Sequence, residues 1–332
     1  MAQEHPFAPY VRILGKGPTL SRPLTFEETK AAAAMILAGQ VEPVQLGAFL
    51  CLLRVKTETP DEVAGFVAAA RQAVAAASTP PKADLDWSSY AGKSRQLPWF
   101  LLSALLLASH GIRVFMQGPE DHTAGRLYSR AALETLGIKA ATSLAEAGRQ
   151  LDSRCFSFMA LENLSPGLNA MLGLKPLLGL RTPLHTIGRM LNPLRAPSAM
   201  VSVFHPAYRG VHQQAANMLG DHRLAVFKGE GGEAERRPEK PCLVQMSVEG
   251  AMSEEEWPAI LAESAQPHET DMNPARLSAL WKGDLDDAYA QATVTGTAAI
   301  ALRVMGRAGS VAEAQKLADD MWAKRSRNWL GA

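Results

Sequence analysis

The chain has 332 residues, 47% apolar and 20% charged, a globular composition with ample material for a core and little room for extended disorder. Thirty-four Lys and Arg against 33 Asp and Glu leave a formal charge of +1, which as an average argues against a strongly basic nucleic-acid binder. Cys51, Cys155 and Cys242 are dispersed and odd in number, which excludes a disulfide framework and a paired-cysteine zinc site. The first ten residues lack the basic start and apolar core of a secretory signal, and the longest apolar run, 97–108, is too short to span a bilayer. A reduced, soluble, cytoplasmic protein without membrane association is expected.

Thr25 followed by Glu28 reads as a capping box opening a helix that stops at Gly39. Pro43 sits at a second helix start that carries Leu46, Phe49, Leu50 and Leu53 on one face. Thr59, Pro60 and Glu62 open a third helix, with Val63, Phe66, Val67, Ala70 and Val74. A stretch of Ala, Ser, Thr, Pro and Lys between Ala75 and Asp86 reads as a linker. Beyond it a buried helix from Pro98 to His110 leads through Gly111 into a strand at Ile112 to Met116, and a further helix is expected from about Thr123 to Leu136. Ala199 to Phe204, Leu224 to Phe227 and Cys242 to Val248 read as three more strands. Strands separated by helical stretches indicate an α/β domain. The division is a helical subdomain over residues 1–79, to which helices from about 168–191 return, and an α/β domain over 80–332.

The segment from Leu24 to Phe66, the run ALETLGI at Ala132 to Ile138, LGLRTPLHTIGRMLNP at Leu178 to Pro193 and the stretch from Gly296 to Met321 carry a resemblance. Together they resemble the anthranilate phosphoribosyltransferase-like members of glycosyltransferase family 3 over nearly the whole chain. The resemblance implies a helical N-terminal subdomain, supplying a homodimer interface, beside a larger α/β domain of the nucleoside phosphorylase/phosphoribosyltransferase type. It also implies a glycine-rich GTGGD loop for pyrophosphate, whose backbone amides approach the phosphates. Here that stretch, Ser89 to Gln96, reads SYAGKSRQ, with Gly92 the one residue suited to such approach and Lys93 and Arg95 beside it. The family's KHGN corresponds to Met116, Gln117, Gly118 and Pro119, and its SSKSG loop to Ala124 through Tyr128, where Arg126 is the remaining cation. Its magnesium-holding Asp-Glu pair falls at Ala234 and Glu235, within the cluster Glu230, Glu233, Glu235. Its HHP motif falls at Glu162, Asn163 and Leu164, and its acceptor-site arginine at Lys175 and Pro176. The combination resembles a divergent bacterial DNA-binding branch that keeps the fold and lacks the phosphoribosyl pyrophosphate motifs.

The charge distribution points the same way. From Asn163 to Gly229 the cations Lys175, Arg181, Arg189, Arg195, Arg209, Arg223 and Lys228 stand against the single acid Asp221, a formal +6, and Arg236, Arg237 and Lys240 follow. Soluble surfaces normally mix both signs, and a phosphate backbone is bound chiefly by clustered cations. The expected nucleic-acid surface therefore comprises Lys175, Arg181, Arg189, Arg195, Arg209, Lys228, Arg236, Arg237 and Lys240. Gly92, Lys93, Arg95, Gly118 and Arg126 are candidate phosphate ligands. Glu233 and Glu235 read as a remnant metal site or as a flexible acidic loop, and no metal site is assigned. Phe204 and Phe227, at strand ends, read as core, and Trp322 with Trp329 as part of a basic aromatic tail.

Two functions follow as expectations. The first is a catalytically degenerate phosphoribosyltransferase homologue, without cofactor or catalytic residue, that binds DNA or RNA, single-stranded or structured, without sequence preference. The alternative is a pentosyl- or phosphoribosyltransferase using magnesium and phosphoribosyl pyrophosphate with a modified phosphate site and a different acceptor.

Overall fold

The computed structural model describes residues 3–77, 79–267 and 271–331. Four helices come first: α1 (Ala8–Gly15), α2 (Phe26–Leu37), α3 (Pro43–Lys56) and α4 (Pro60–Ala77). The capping box at α2 forms, with the Glu28 amide donating to Thr25 Oγ1 at 3.2 Å and the Thr25 amide to Glu28 Oε2 at 2.9 Å. Gly39, at φ 68°, ends that helix in a conformation that costs other residues strain. Thr59 and Glu62 exchange the same pair of bonds at the start of α4, and buried Glu62 also accepts from Lys56 and the Leu24 amide. One carboxylate of α4 thus ties α3 to the segment leading into α2.

The sheet domain follows as β1 (Leu85–Ser88), α5 (Phe100–Ser109), β2 (Val114–Gly118), α6 (Ser129–Thr135), α7 (Leu144–Arg154) and β3 (Phe156–Ala160). The chain then returns to the helical layer through four short helices, α8 (Leu161–Leu164), α9 (Pro166–Leu172), α10 (Lys175–Leu178) and α11 (Leu184–Ile187). It re-enters the sheet with β4 (Ser198–Val203), α12 (Tyr208–Met218), β5 (Arg223–Lys228), β6 (Cys242–Val248) and β7 (Ala251–Trp257), and ends in α13 (Ala275–Lys282), α14 (Ala288–Val304) and α15 (Val311–Lys324). The seven strands lie in the order β3-β2-β1-β4-β5-β6-β7, the first five parallel and the last two antiparallel.

Period-two alternation distributes the strands between two cores. Met200, Ala225 and Phe227 belong to the core shared with α5, α14 and α15, whereas Ala199, Val201, Val203, Leu224 and Val226 belong to the core of the helical layer, where Phe49, Phe66, Leu168, Met171 and Ile187 pack. The strand order reverses between β1 and β4, so a crevice opens beyond their carboxyl ends, the position at which open α/β sheets bind ligands.

Several expectations change. The linker shortens, because α4 continues to Ala77 and β1 begins at Leu85. The helix expected from Thr123 to Leu136 is confined to Ser129–Thr135, leaving Thr123 to Tyr128 as a loop over the crevice. Strand β7 escapes a hydrophobic pattern search because Glu254, Glu255 and Glu256 lie on an edge strand whose charges discourage further pairing. Trp322 does not belong to an open tail. It is buried, and the Arg325 guanidinium lies 3.6 Å from its ring centre.

Candidate anion-binding site

The loop after β1 and the segment between β5 and β6 meet in the crevice. The amides of Ala91 and Gly92 both donate to Glu233 Oε1, each at 2.6 Å. Lys93 Nζ lies 2.5 Å from Glu235 Oε1, and Glu235 Oε2 accepts from the Phe100 amide at the first turn of α5 at 2.9 Å. Both glutamates are fully buried. Burial pushes the Glu235 carboxyl up, opposed by the Lys93 ammonium. Gly92 has φ 66°, and a Cβ there would meet Tyr128 at 3.0 Å and the Arg126 Cβ at 3.1 Å. Only glycine brings its amide to the carboxylate without strain.

The acidic loop is itself shaped by glycine. A Cβ at Gly229 would lie 1.7 Å from the Glu233 carbonyl oxygen, and Gly231 and Gly232 have φ of 63° and 93°. Arg189 Nη1 donates to the Gly232 carbonyl at 2.7 Å and to Ser202 Oγ at 3.1 Å, fixing the turn that delivers Glu233. Arg126 Nη1 donates to the carbonyls of Ala91 and Gly92 at 2.8 and 3.2 Å, so the amides of that loop point toward the glutamate.

Outside this closed knot lies an open cleft of about 660 Å³. Arg95, Arg126, Arg209, Lys228, Arg237 and Lys240 line it, drawn from the β1–α5 loop, the β2–α6 loop, the first turn of α12, the end of β5 and the segment before β6. Arg237 is paired with Glu239 and lies 3.7 Å from Glu230. Arg95, Lys228 and Lys240 are exposed and have no acidic partner among the described residues. Arg209 donates to the Leu243 carbonyl at 3.1 Å and leaves its Nε buried and unbonded.

Phe204, 59% exposed just past the end of β4, stands between this cleft and a smaller cavity of about 130 Å³. Arg181, His185, His205, Tyr208 and His212 line the smaller cavity, and the His122 ring lies 5.1 Å from that of His185. Burial first, and then nearby cations, push His122 down to about 4, His185 to about 3 and His212 to about 4. Nε2 of His185 and of His212 and Oγ1 of Thr182 are buried without partners. The rings are neutral at pH 7, and because Nδ1 of His185 and of His212 donates to the carbonyls of Thr182 and Tyr208, their Nε2 atoms can only accept from a small polar group.

The basic surface expected from the sequence divides. Arg209, Lys228, Arg237 and Lys240 share the cleft with Arg95 and Arg126. Arg181 is exposed at the neighbouring cavity, and Lys175 opens α10 outside both. Arg189 is buried as a loop brace. Arg236 is 2% exposed, its guanidinium 5.3 Å from the Trp257 ring centre and bonded to the Pro258 carbonyl, so it belongs to the core. Arg195 lies at the amino end of β4, 3.7 Å from Asp221, away from the crevice.

The candidate phosphate ligands divide in the same way. Lys93 is buried in its ion pair, Arg95 and Arg126 face the cleft, and Gly92 presents its amide to Glu233. Gly118 is a packing residue, since a Cβ there would lie 1.6 Å from the Ser89 carbonyl oxygen. Protein donors take both oxygens of Glu235 and one of Glu233, whose other oxygen is buried and unpartnered, and no cluster of three His, Cys, Asp or Glu suited to a cation occurs among the described residues. Phe204, expected in the core, instead faces solvent. The sequence signal is its position before His205-Pro206, where the strand has already ended.

A helical bundle beside a largely parallel sheet, with a cation-lined crevice at the reversal of strand order, defines an α/β architecture. Residues 8–74 match the helical bundle domain of the glycosyl transferase family and residues 100–324 its a/b domain, and the chain belongs to that family. The anthranilate phosphoribosyltransferase of Moorella thermoacetica is 29% identical over 310 residues, 88% of each chain. That of Methylorubrum populi is 27% identical over 314 residues, 92% of this chain and 91% of the other. The crystal structure of the anthranilate phosphoribosyltransferase from Thermus thermophilus has the same fold, with TM-score 0.77 at 22% identity over 99% of this chain and 100% of that one. The Saccharomyces cerevisiae enzyme in complex with PRPP and Mg matches with TM-score 0.73 at 15% identity, over 99% and 96%.

Proposed function

We propose that this chain binds the phosphate backbone of nucleic acid, DNA or RNA, through the cleft, without sequence preference and without transferring a pentose. The observation that carries the reading is the convergence of Arg95, Arg126, Arg209, Lys228, Arg237 and Lys240 on one open cleft with a single acid, Glu230, in its lining. Cations at such a surface release counterions from a polyphosphate, and this release supplies most of the affinity of sequence-independent binding. Fluorescence anisotropy of a labelled oligonucleotide across a salt titration tests it. Binding at low salt that weakens as salt rises supports the reading; no binding at low salt ends it.

The relatives favour a second reading, phosphoribosyl transfer, since those named above are phosphoribosyltransferases and one was solved with PRPP and Mg. The groups at this crevice do not fit that ligand as they stand. Glu233 Oε1 takes the Ala91 and Gly92 amides and Glu235 takes Lys93 and the Phe100 amide, so the amides and the lysine are not available to a pyrophosphate. The second reading expects PRPP with magnesium to raise the melting temperature, as any ligand selective for the folded state must. We further propose a homodimer through the N-terminal helices, supported by Val44 and Val55 of α3, each 79% exposed, and Leu177 of α10, 81% exposed, on one helical layer. Light scattering at micromolar concentration reads that state directly.

A further inference from the structure

We propose that the amides of Ala91 and Gly92, with Lys93, form a complete phosphate site that the chain keeps shut with its own carboxylates, Glu233 and Glu235. The inference stands apart from nucleic-acid binding, which uses the cations at the cleft rim.

Two convergent backbone amides with a lysine beside them make the donor set that cradles a phosphoryl group. Here each donor already holds an anionic oxygen: Glu233 Oε1 receives both amides at 2.6 Å, and Glu235 Oε1 receives Lys93 at 2.5 Å. The two acids are separated by one residue and turn toward the same loop, so a single short segment supplies both oxygens. The second oxygen of Glu233, Oε2, is buried with no hydrogen-bond partner. Gly231 and Gly232, both at positive φ, give the loop the tight turn that brings Glu233 back onto the amides. The loop between β1 and α5 is therefore held in a ligand-bound geometry with no ligand needed, and free phosphate and pyrophosphate are excluded from it.

The test is calorimetric titration and thermal melting with inorganic pyrophosphate, on the wild type, E233A, E233S, E233Q and E230Q. Glu230 lines the same cleft but does not touch the amides, so E230Q makes the same change in charge without opening the cradle. The expected result is no pyrophosphate-dependent shift in the wild type or E230Q, and a rise in melting temperature in E233A with affinity at least about tenfold above wild type. E233Q keeps an oxygen that can accept from both amides and so should gain less than E233A; E233S, which withdraws that oxygen, is the variant read if E233A does not fold, and it too should bind pyrophosphate more tightly than the wild type. Equal affinity in wild type and the folded Glu233 variants overturns the proposal. So does a gain in E230Q equal to theirs, since that would be a general charge effect. If the wild type fails to bind an oligonucleotide, the nucleic-acid reading falls and this one is untouched.

Discussion

Arg71 of α4 grips Asp221, 150 residues away, with two bonds of 2.7 and 2.9 Å, while its Nε and Nη2 donate to the carbonyls of Leu191 and Met190 at 2.8 and 2.9 Å. Every donor edge of one buried guanidinium thus joins the helical bundle to the turns flanking β4 and β5. Removing one partner of such a pair strands a buried charge. Arg71→Ala is expected to destabilise the protein by about 3–5 kcal/mol, read from urea unfolding midpoints, whereas breaking the exposed pair Lys316–Asp320 should leave the midpoint close to wild type. Equal small effects for the two would show that the clamp does not hold the layers.

Phe204 is the exposed aromatic of the cleft, edge-on to His205 with ring centres 4.9 Å apart. An unpaired base can stack on its free face, and a paired base cannot. Phe204→Ala should weaken binding of a single-stranded oligonucleotide by about 1–3 kcal/mol, with little change for a duplex of the same length, and Phe204→Trp should restore it. Competition anisotropy with the two oligonucleotides distinguishes these outcomes; an equal loss for both would remove the stacking role.

Charge reversals separate the surface cations from the buried ones. Lys228→Glu and Lys240→Glu should each leave the melting temperature close to wild type and reduce the salt slope of binding by about 1 or slightly more. Arg236→Glu should prevent stable folding, because it puts a carboxylate against Trp257 and the Pro258 carbonyl. Circular dichroism melts check both. A folded Arg236→Glu protein would contradict its assignment to the core.

His212 gives a pH prediction with a definite sign. Its folded form is held neutral, with the pKa pushed down to about 4 by burial, while the unfolded chain protonates near 6.5. The unfolded state then carries the extra proton between about pH 6.5 and 4, so the histidine's contribution to stability is present above that window and is lost as pH falls through it. Relative to His212→Gln, the wild type should lose roughly 2 kcal/mol between pH 7 and pH 5, measured by paired denaturant melts at the two pH values. A constant difference would show that His212 titrates alike in both states.

Much of the fold is legible because local chemistry decides it. Thr25 with Glu28, Pro43 and Thr59 with Glu62 mark helix starts that form as read, and Cys242 to Val248 is a strand over those same residues. Short strands such as β1 and β3 escape notice because four or five residues between loops carry too little pattern, and their pairing is set by neighbours far away in the chain. The site is legible in its residue types and not in its geometry. A run of arginines reads alike whether it faces water or Trp257, so the sequence groups Arg236 and Arg189 with Lys228 and Lys240. Glu233 meeting Gly92 is a contact across 141 residues that no spacing announces.

Binding of a phosphate backbone by the cations of the cleft is tested most directly by the salt dependence of oligonucleotide binding by the wild type beside an Arg95→Glu, Lys228→Glu, Lys240→Glu triple variant. The expected log-log slope for single strands is about −0.7 per cation engaged, three to six cations in all, with a clear loss of both affinity and slope in the folded triple variant. Binding by the folded triple variant with unchanged affinity and slope would contradict it.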